Sequence, residues 1–347
     1  MVKSVLVTGA AGFLGSHLCR HHLDQGDYVL GVDNFCSSEQ DSLHFKDLLA
    51  DDRFDFLEQD VVETTFSTRR WPAFKPEIIY NFACPASPPV YQMMPVETMM
   101  TCVVGTANVL QFAQRTGAIV VHASTSEVYG DPDITPQHEK YRGQVNSYGP
   151  RSCYDEGKRA AEALCYDFRH KHGVDARMVR IFNTYGPNMD PYDGRVISNF
   201  ICQALRGEDL TVYGDGMQGR SFCYVDDLIR GIVALGGLQL NPETPINLGN
   251  PQEFRVWELA VKVNDAIRPQ PTTADVKELQ RRALSAISNV SWKSMPVDDP
   301  RQRCPDINLA RMYLDWEPRV TLDEGLSKTI AYFQNVANSR PTVLFGP

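Results

Sequence analysis

A short apolar strand, a glycine turn and an amphipathic helix follow one another at the start of the chain, and that order leaves few folds open. Lys3 to Val7 reads as a buried strand, Thr8-Gly9-Ala10-Ala11-Gly12-Phe13-Leu14-Gly15 as the turn, and Ser16 to about Leu23 as a helix with apolar periodicity. Glycines at 9, 12 and 15 let the backbone turn tightly, approach a pyrophosphate and pack the helix on a sheet. The helix N-terminus then offers unpaired amides to phosphate. The spacing is G-x-x-G-x-x-G, one residue wider at the first gap than the common dinucleotide fingerprint. A second strand, Tyr28 to Val32, ends in Asp33, 18 residues after Gly15. A carboxylate there would accept hydrogen bonds from an adenosine ribose and repel a 2′-phosphate, which predicts NAD rather than NADP. The bland reading is a ligand-free turn and a solvated Asp33; the unbroken succession of strand, turn, helix, strand and acid argues against it.

Strand and helix patterns alternate through the first half, with strands near 3–7, 28–32, 53–57, 77–82, 118–124 and 176–182. The expected fold is α/β: a Rossmann-type doubly wound parallel sheet with ligands at the carboxyl ends of its strands. Beyond about residue 185 the pattern is less regular, with helices near 194–206, 226–237, 254–267 and 322–336. This divides the chain into a dinucleotide-binding domain over 1–185, to which later segments return, and a smaller interleaved α/β substrate lobe over 186–340. Pro269 to Thr273 opens an insertion-like segment over 268–294, with an extra amphipathic helix expected over 274–290 and a loose tail in the last ten residues.

Chemistry enters with Tyr154-Asp155-Glu156-Gly157-Lys158, about 30 residues after Ser124-Thr125-Ser126-Glu127. A Tyr and a Lys four apart on a helix share one face. The ammonium can then lower the phenol's pKa and make it a usable base for an alcohol proton. Alone the pair is weak, because an amphipathic helix carries such residues as packing and solvated charge. A net charge of −9 and a pI near 5.4 argue against a nucleic-acid surface. No apolar window approaches the length of a membrane span and no secretory leader is evident, so the expected compartment is cytoplasmic. The nine cysteines show no metal-ligand spacing, and free thiols are expected, with no metal.

With these residues in place the chain resembles the extended short-chain dehydrogenases/reductases that act on nucleotide sugars, the epimerase/dehydratase family, over nearly its whole length. The strings that carry the resemblance are PASPP at 85–89, STSEVYGDP at 124–132, GPRSCYDEGKR at 149–159, RIFNTYGP at 180–187, DGRVISNF at 193–200, LTVYGDG at 210–216, NLGNP at 247–251 and DDPRQRCPDI at 298–307. It is most similar to the family's UDP-glucuronate decarboxylases. The dehydratases usually carry an Asp-Glu pair after the Thr; here Ser126 precedes Glu127, and a serine cannot be the acid that expels water. The resemblance implies Tyr154, Lys158, Thr125, Glu127, Ser126 and Arg303 as catalytic residues. It implies Gly9, Gly12, Phe13, Leu14, Gly15, Asp33, Asn34, Asp60, Val61, Ala83 and Arg195, with Tyr154 and Lys158, around NAD. Pro85, Ser87, Asn183, Tyr213, Arg220 and Arg303 would then hold the nucleotide sugar. Family members pair the helices that here span about 95–116 and 153–172, which implies a homodimer.

Each carried residue keeps a plain structural alternative: Glu127 a cap, Ser126 a turn former, Arg303 a surface ion pair or a diphosphate ligand, Tyr213 a packing residue. The sequence also departs from the pattern. Met100 and Cys102 stand where relatives have a Lys near the sugar and a supporting Asn, and Asn81 stands where they have His. Losing a cation beside a substrate carboxylate would cost about 1 kcal/mol or more in a partly desolvated site. A nucleotide-sugar 4-epimerase, a 4,6-dehydratase-like enzyme and a catalytically idle NAD-binding sensor therefore remain as competing expectations.

Overall fold

Val5, Leu6 and Val7 are consecutive and apolar, so a strand built from them must bury both faces. In the computed structural model, which describes residues 2–63, 66, 74–268 and 290–340, it does. Val5 and Val7 pack with Val29, Ile78, Tyr80 and Val121 on one side, and Leu6 packs with Leu30, Ile79 and Val120 on the other. This alternation places β1 (Ser4–Thr8) at the centre of a sheet with β2 (Tyr28–Asp33), β3 (Phe54–Glu58), β4 (Ile78–Asn81), β5 (Ile119–Thr125), β6 (Ala176–Ile181) and a seventh strand, Ile246–Leu248. Among the described residues the order runs Ile246–Leu248, β6, β5, β4, β1, β2, β3, and every neighbouring pair is parallel.

Helix α1 (Phe13–Asp24) and the helix Val225–Gly237 cover one face through Leu18, Leu23, Leu228 and Ile232. The helices Thr106–Thr116 and Ser152–His172 cover the other through Val109, Leu110 and Cys165. Thr106–Thr116 continues Pro95–Met100 through a π-helical turn, Thr101–Gly105, with helical dihedrals at both junctions. Such a turn departs from the α-helical hydrogen-bond pattern and recurs at functional sites.

The chain runs outward from β1 to β3 and returns on the other side of β1 as β4, so a crevice opens at the carboxyl ends of β1 and β4. Two glycines close the first turn over it. Gly9 has φ +73°, and a Cβ there would lie 2.8 Å from the Phe82 carbonyl that follows β4. A Cβ on Gly15 would lie 1.9 Å from the Gly9 oxygen.

The rest of the chain builds short strands beside the sheet. Gly219–Ser221 pairs with Glu253–Arg255 on one side and with Gln302–Arg303 on the other, and Leu210–Tyr213 pairs with Val290–Lys293. Cys223–Tyr224 pairs with Thr184–Tyr185. Helices Val196–Arg206 and Val256–Ile267 pack against them, and Leu322–Ser339 extends three residues beyond its expected end. The expected extra helix, most of the insertion-like segment and most of the tail lie outside the described residues.

Candidate active site

The carboxyl ends of the central strands open into a cavity of about 750 Å³ that reaches under the short-strand lobe. Gly9, Gly12, Phe13, Leu14, Gly15, Asp33, Asn34, Asp60, Val61 and Ala83 line one part of it. Pro85, Ser87, Thr125, Ser126, Glu127, Tyr154 and Lys158 line the same cavity, and so do Asn183, Arg195, Tyr213, Arg220 and Arg303. The fold thus brings together every residue that the sequence assigned to the site.

At the glycine end, Gly12 is the extended residue before α1 and no side chain caps the helix, so its first-turn amides remain unspent. The helix begins at Phe13, three residues earlier than its periodicity indicated, which puts the backbone of Phe13 and Leu14 at the cavity wall. Asp33 accepts from the Ala11 amide at 3.0 Å, the Phe35 amide at 2.9 Å and the Ser38 hydroxyl at 3.2 Å. Burial pushes this carboxyl's pKa up, against those hydrogen bonds. The Asn34 backbone amide is a fourth donor, so a ribose hydroxyl would share or displace one of these contacts. Beside it the Asn34 side-chain amide donates to Asp60 at 3.0 Å. Unspent amides and an acidic acceptor at the end of β2 fit a dinucleotide's phosphates and ribose.

Tyr154 sits in the first turn of Ser152–His172, with its ring stacked on Tyr91 at 5.1 Å between centroids and 6° between planes. Its phenol meets the Thr125 side chain at the end of β5. Lys158, one helical turn on, donates to the Ala123 carbonyl at 2.8 Å and stands 5.8 Å from the Tyr154 ring. With the protein's own groups alone, burial pushes the phenol's pKa well up, and the contact with Thr125 and the charge of Arg195 offset it only in part. The lysine fixes the geometry, while a further positive charge in the cavity is needed to make the base.

Glu127, in the tight turn Ser126–Tyr129 after β5, caps nothing with its side chain. Its carboxylate meets Arg151 and, at 2.9 Å, Arg303. Arg303 is buried at 1% exposure and also donates to the Gly130 carbonyl at 2.7 Å, which excludes a surface ion pair. Its register partner on the neighbouring strand is Arg220, which donates to Asp299 at 2.9 Å. Burial alone would raise the Glu127 pKa, but Arg303 and Arg151 outweigh it and bring the value down to about 2. The group is an acceptor at neutral pH and a poor acid. Asp155, one turn after Arg151, moves the other way: burial first and the charge of Glu127 second lift it to about 7. Its Oδ1 and the Nε atoms of Arg151 and Arg303 are buried without a hydrogen-bond partner.

Sequence reasoning missed Arg151, Asp155, Asp299 and Tyr91. Arg151 and Asp155 are spaced i, i+4 within the motif that carries Tyr154, a signal that was present but reads as an ordinary helix ion pair. Two departures from the family pattern also resolve. Met100 is 42% exposed and lies outside the cavity lining, where Thr101 stands instead. Asn81 is a buried joint that accepts from Thr8 at 2.9 Å and contacts Thr106 and His122 at 3.2 and 3.1 Å.

A glycine turn at the switch point, with Tyr and Lys presented by one helix at the end of β5, defines a short-chain dehydrogenase/reductase of the two-lobed, extended kind. The chain belongs to the GDP-mannose 4,6 dehydratase family, whose profile matches residues 6–329. It is 47% identical to UDP-glucuronic acid decarboxylase 6 of Arabidopsis thaliana over 93% of this chain and 86% of that protein. To UDP-glucuronic acid decarboxylase 1 of Xenopus tropicalis it is 45% identical over 96% of this chain and 72% of that one. The UDP-glucuronic acid 4-epimerase of Bacillus cereus, solved with UDP-glucuronic acid and NAD, matches with a TM-score of 0.81 at 26% identity, covering 96% of this chain and 99% of that one.

Proposed function

We propose that this chain is an NAD-dependent UDP-glucuronate decarboxylase, which forms UDP-xylose by oxidation at C4, loss of CO2 and re-reduction. The observation that carries this reading is the Glu127 carboxylate, held ionised by Arg151 and Arg303 at the cavity wall with Ser126 beside it. An ionised Glu and a Ser supply no acid to expel a hydroxyl, which disfavours the dehydratase, while buried guanidinium groups suit an acidic sugar. The curated relatives' names agree with that choice.

The residues at the glycine turn, with Asp33, would hold NAD, and Arg220 of the lobe with Asn183 after β6 the nucleotide diphosphate. When bound, NAD takes hydride from the sugar's C4 and returns it, and its positive ring adds the charge that the buried phenol lacks. Tyr154 as the phenolate accepts the C4 hydroxyl proton, with Lys158 anchoring the turn through Ala123. Thr125 and Tyr154 then hydrogen-bond the C4 carbonyl oxygen, which delocalises the electron pair left at C5 when the carboxylate departs as CO2. Arg303 orients that carboxylate, the enolate left by CO2 takes a proton at C5 from solvent or from Arg303 before hydride returns to C4, and Glu127 and Ser126 hold the ring. Tyr154 finally returns its proton to the C4 oxygen.

Proton NMR of the purified protein with NAD and UDP-glucuronate tests the reading. Two C5 protons of UDP-xylose are expected. An unchanged substrate spectrum overturns it, and UDP-galacturonate in its place assigns the epimerase, a relative of which shares the fold.

The exposed Val96 and Met100 on one helix and Tyr166 on another support the further proposal of a homodimer through these helices. All nine cysteines are free, which supports a reducing, cytoplasmic compartment. Among the described residues no helix is long and apolar enough to cross a membrane.

A further inference from the structure

Cys84 lies in the loop after β4 and lines the cavity, while Cys102 lies in the π-helical turn Thr101–Gly105. Their sulfurs are 3.3 Å apart. Cys84 is half-buried and reachable from the cavity; Cys102 is buried and does not line it. Both thiols press on the machinery around Tyr154. A Cβ on Gly157 would come within 3.0 Å of the Cys102 Cβ and 3.2 Å of its Sγ, so this sulfur rests against the helical turn between Tyr154 and Lys158. Cys84 donates to the carbonyl of Pro85, the next residue of the same cavity wall, at 3.3 Å.

We propose that Cys84 and Cys102 close into a reversible disulfide under hydrogen peroxide, and that closure switches the active site off. The cavity delivers the oxidant to Cys84. There the O–O bond of peroxide breaks: one oxygen leaves as water and the other forms a sulfenic acid on Cys84. Cys102 then attacks the Cys84 sulfur, the S–O bond breaks, and a second water carries away the hydroxyl and the thiol proton. Two thiols and one peroxide thus become one disulfide and two waters, and a dithiol reverses the change by exchange.

The surroundings favour the second step. Its contact with Cys102 first and burial second push the Cys84 thiol well up, while the same contact, with help from the nearby Lys158 ammonium and against burial, lowers the pKa of Cys102, so Cys102 is the sulfur more readily present as thiolate and peroxide attack at Cys84 is the slower step. A disulfide needs about 2.05 Å between sulfurs, so closure draws the two sulfurs together by roughly 1.2 Å and pulls on the loop and the π turn that carry them. Displacements of about 1 Å near a reacting centre can cost on the order of a hundredfold in rate.

The protein is treated with hydrogen peroxide, digested and mapped by mass spectrometry, with activity and NADH binding followed in parallel. A Cys84–Cys102 cross-linked peptide is expected, about 2 Da below the two free-thiol peptides combined. Activity should fall on the order of tenfold or more and return with dithiothreitol. In Cys102→Ser the cross-link is absent, and under excess peroxide the Cys84 sulfenic acid, with no resolving thiol beside it, is oxidised by a second peroxide to the sulfinic acid, which dithiothreitol does not reverse. Mapping decides the linkage whether or not UDP-glucuronate is the substrate, and NADH binding reads closure without turnover. Absence of the cross-link, pairing of Cys84 with Cys153 instead, a cross-link that changes neither activity nor NADH binding, or an equal dithiothreitol-reversible loss in Cys102→Ser would each overturn the proposal.

Discussion

The Tyr154 ring is held by stacking on Tyr91, so its hydroxyl can be removed without disturbing its packing. Tyr154→Phe should lower kcat by roughly 10²–10⁴-fold while leaving the melting temperature and the NAD affinity, measured by calorimetry, nearly unchanged. The two carboxyl groups nearby set opposite pH dependences. Glu127, lowered to about 2 when folded, contributes stability above the ordinary carboxylate range, and that contribution is lost as pH falls through about 2. Asp155, raised to about 7, costs nothing while protonated and destabilises the fold as pH rises from about 4 to about 7. Asp155→Asn should therefore remove a loss on the order of 4 kcal/mol across that window, read from urea melts at a series of pH values. Glu127→Gln leaves the buried Arg303 without its carboxylate partner, while Arg151 keeps Asp155 and Asp299, and should cost about 3 kcal/mol at neutral pH in the same melts. Glu127 and Arg303 were legible in the sequence because their strings match a family pattern. Asp155 was not, because its state depends on Glu127 and Arg151, which only folding brings to it.

At the scale of elements, the glycine turn tolerates least. A Cβ on Gly15 would meet the Gly9 backbone oxygen at 1.9 Å, and neither partner is a side chain that can swing away. Gly15→Ala should therefore lower the melting temperature and weaken NAD binding by at least about tenfold by calorimetry, since it displaces the amides aimed at phosphate. Gly117→Ala is the contrast: it meets nothing within 4 Å but keeps φ +78°, so only about 1 kcal/mol of backbone strain is expected. Six of the seven sheet strands were legible to within one or two residues because runs such as Val5-Leu6-Val7 have no other place to go, whereas the three-residue edge strand Ile246–Leu248 is too short to show a period. The early start of α1 was not, since Gly12 carries none of the side chains that announce a helix start. Nor was the π turn, whose residues continue an ordinary helical pattern and whose extra backbone residue leaves no mark in composition.

For the whole molecule, Val96 at 68% and Tyr166 at 58% exposure lie on the two helices of the proposed dimer interface. Val96→Glu with Tyr166→Glu should convert the dimer to a monomer near 39 kDa in sedimentation, and a wild-type protein already at that mass would end the dimer reading. The parallel sheet and its ligand edge could be read from the alternation of patterns, but the lobe could not. Its strands are two to four residues long and pair across large separations, as Arg220 does with Arg303, and so short a strand has no period to detect. The interleaving also bears on how the chain is made. Until Ile246–Leu248 emerges from the ribosome, β6 ends the growing sheet as an open edge. At roughly 5–20 residues per second, the roughly sixty residues between them keep that edge unpaired for about 3–12 seconds. A nascent chain is most open to wrong pairing during this interval, and slower translation through the first lobe segment would lengthen it.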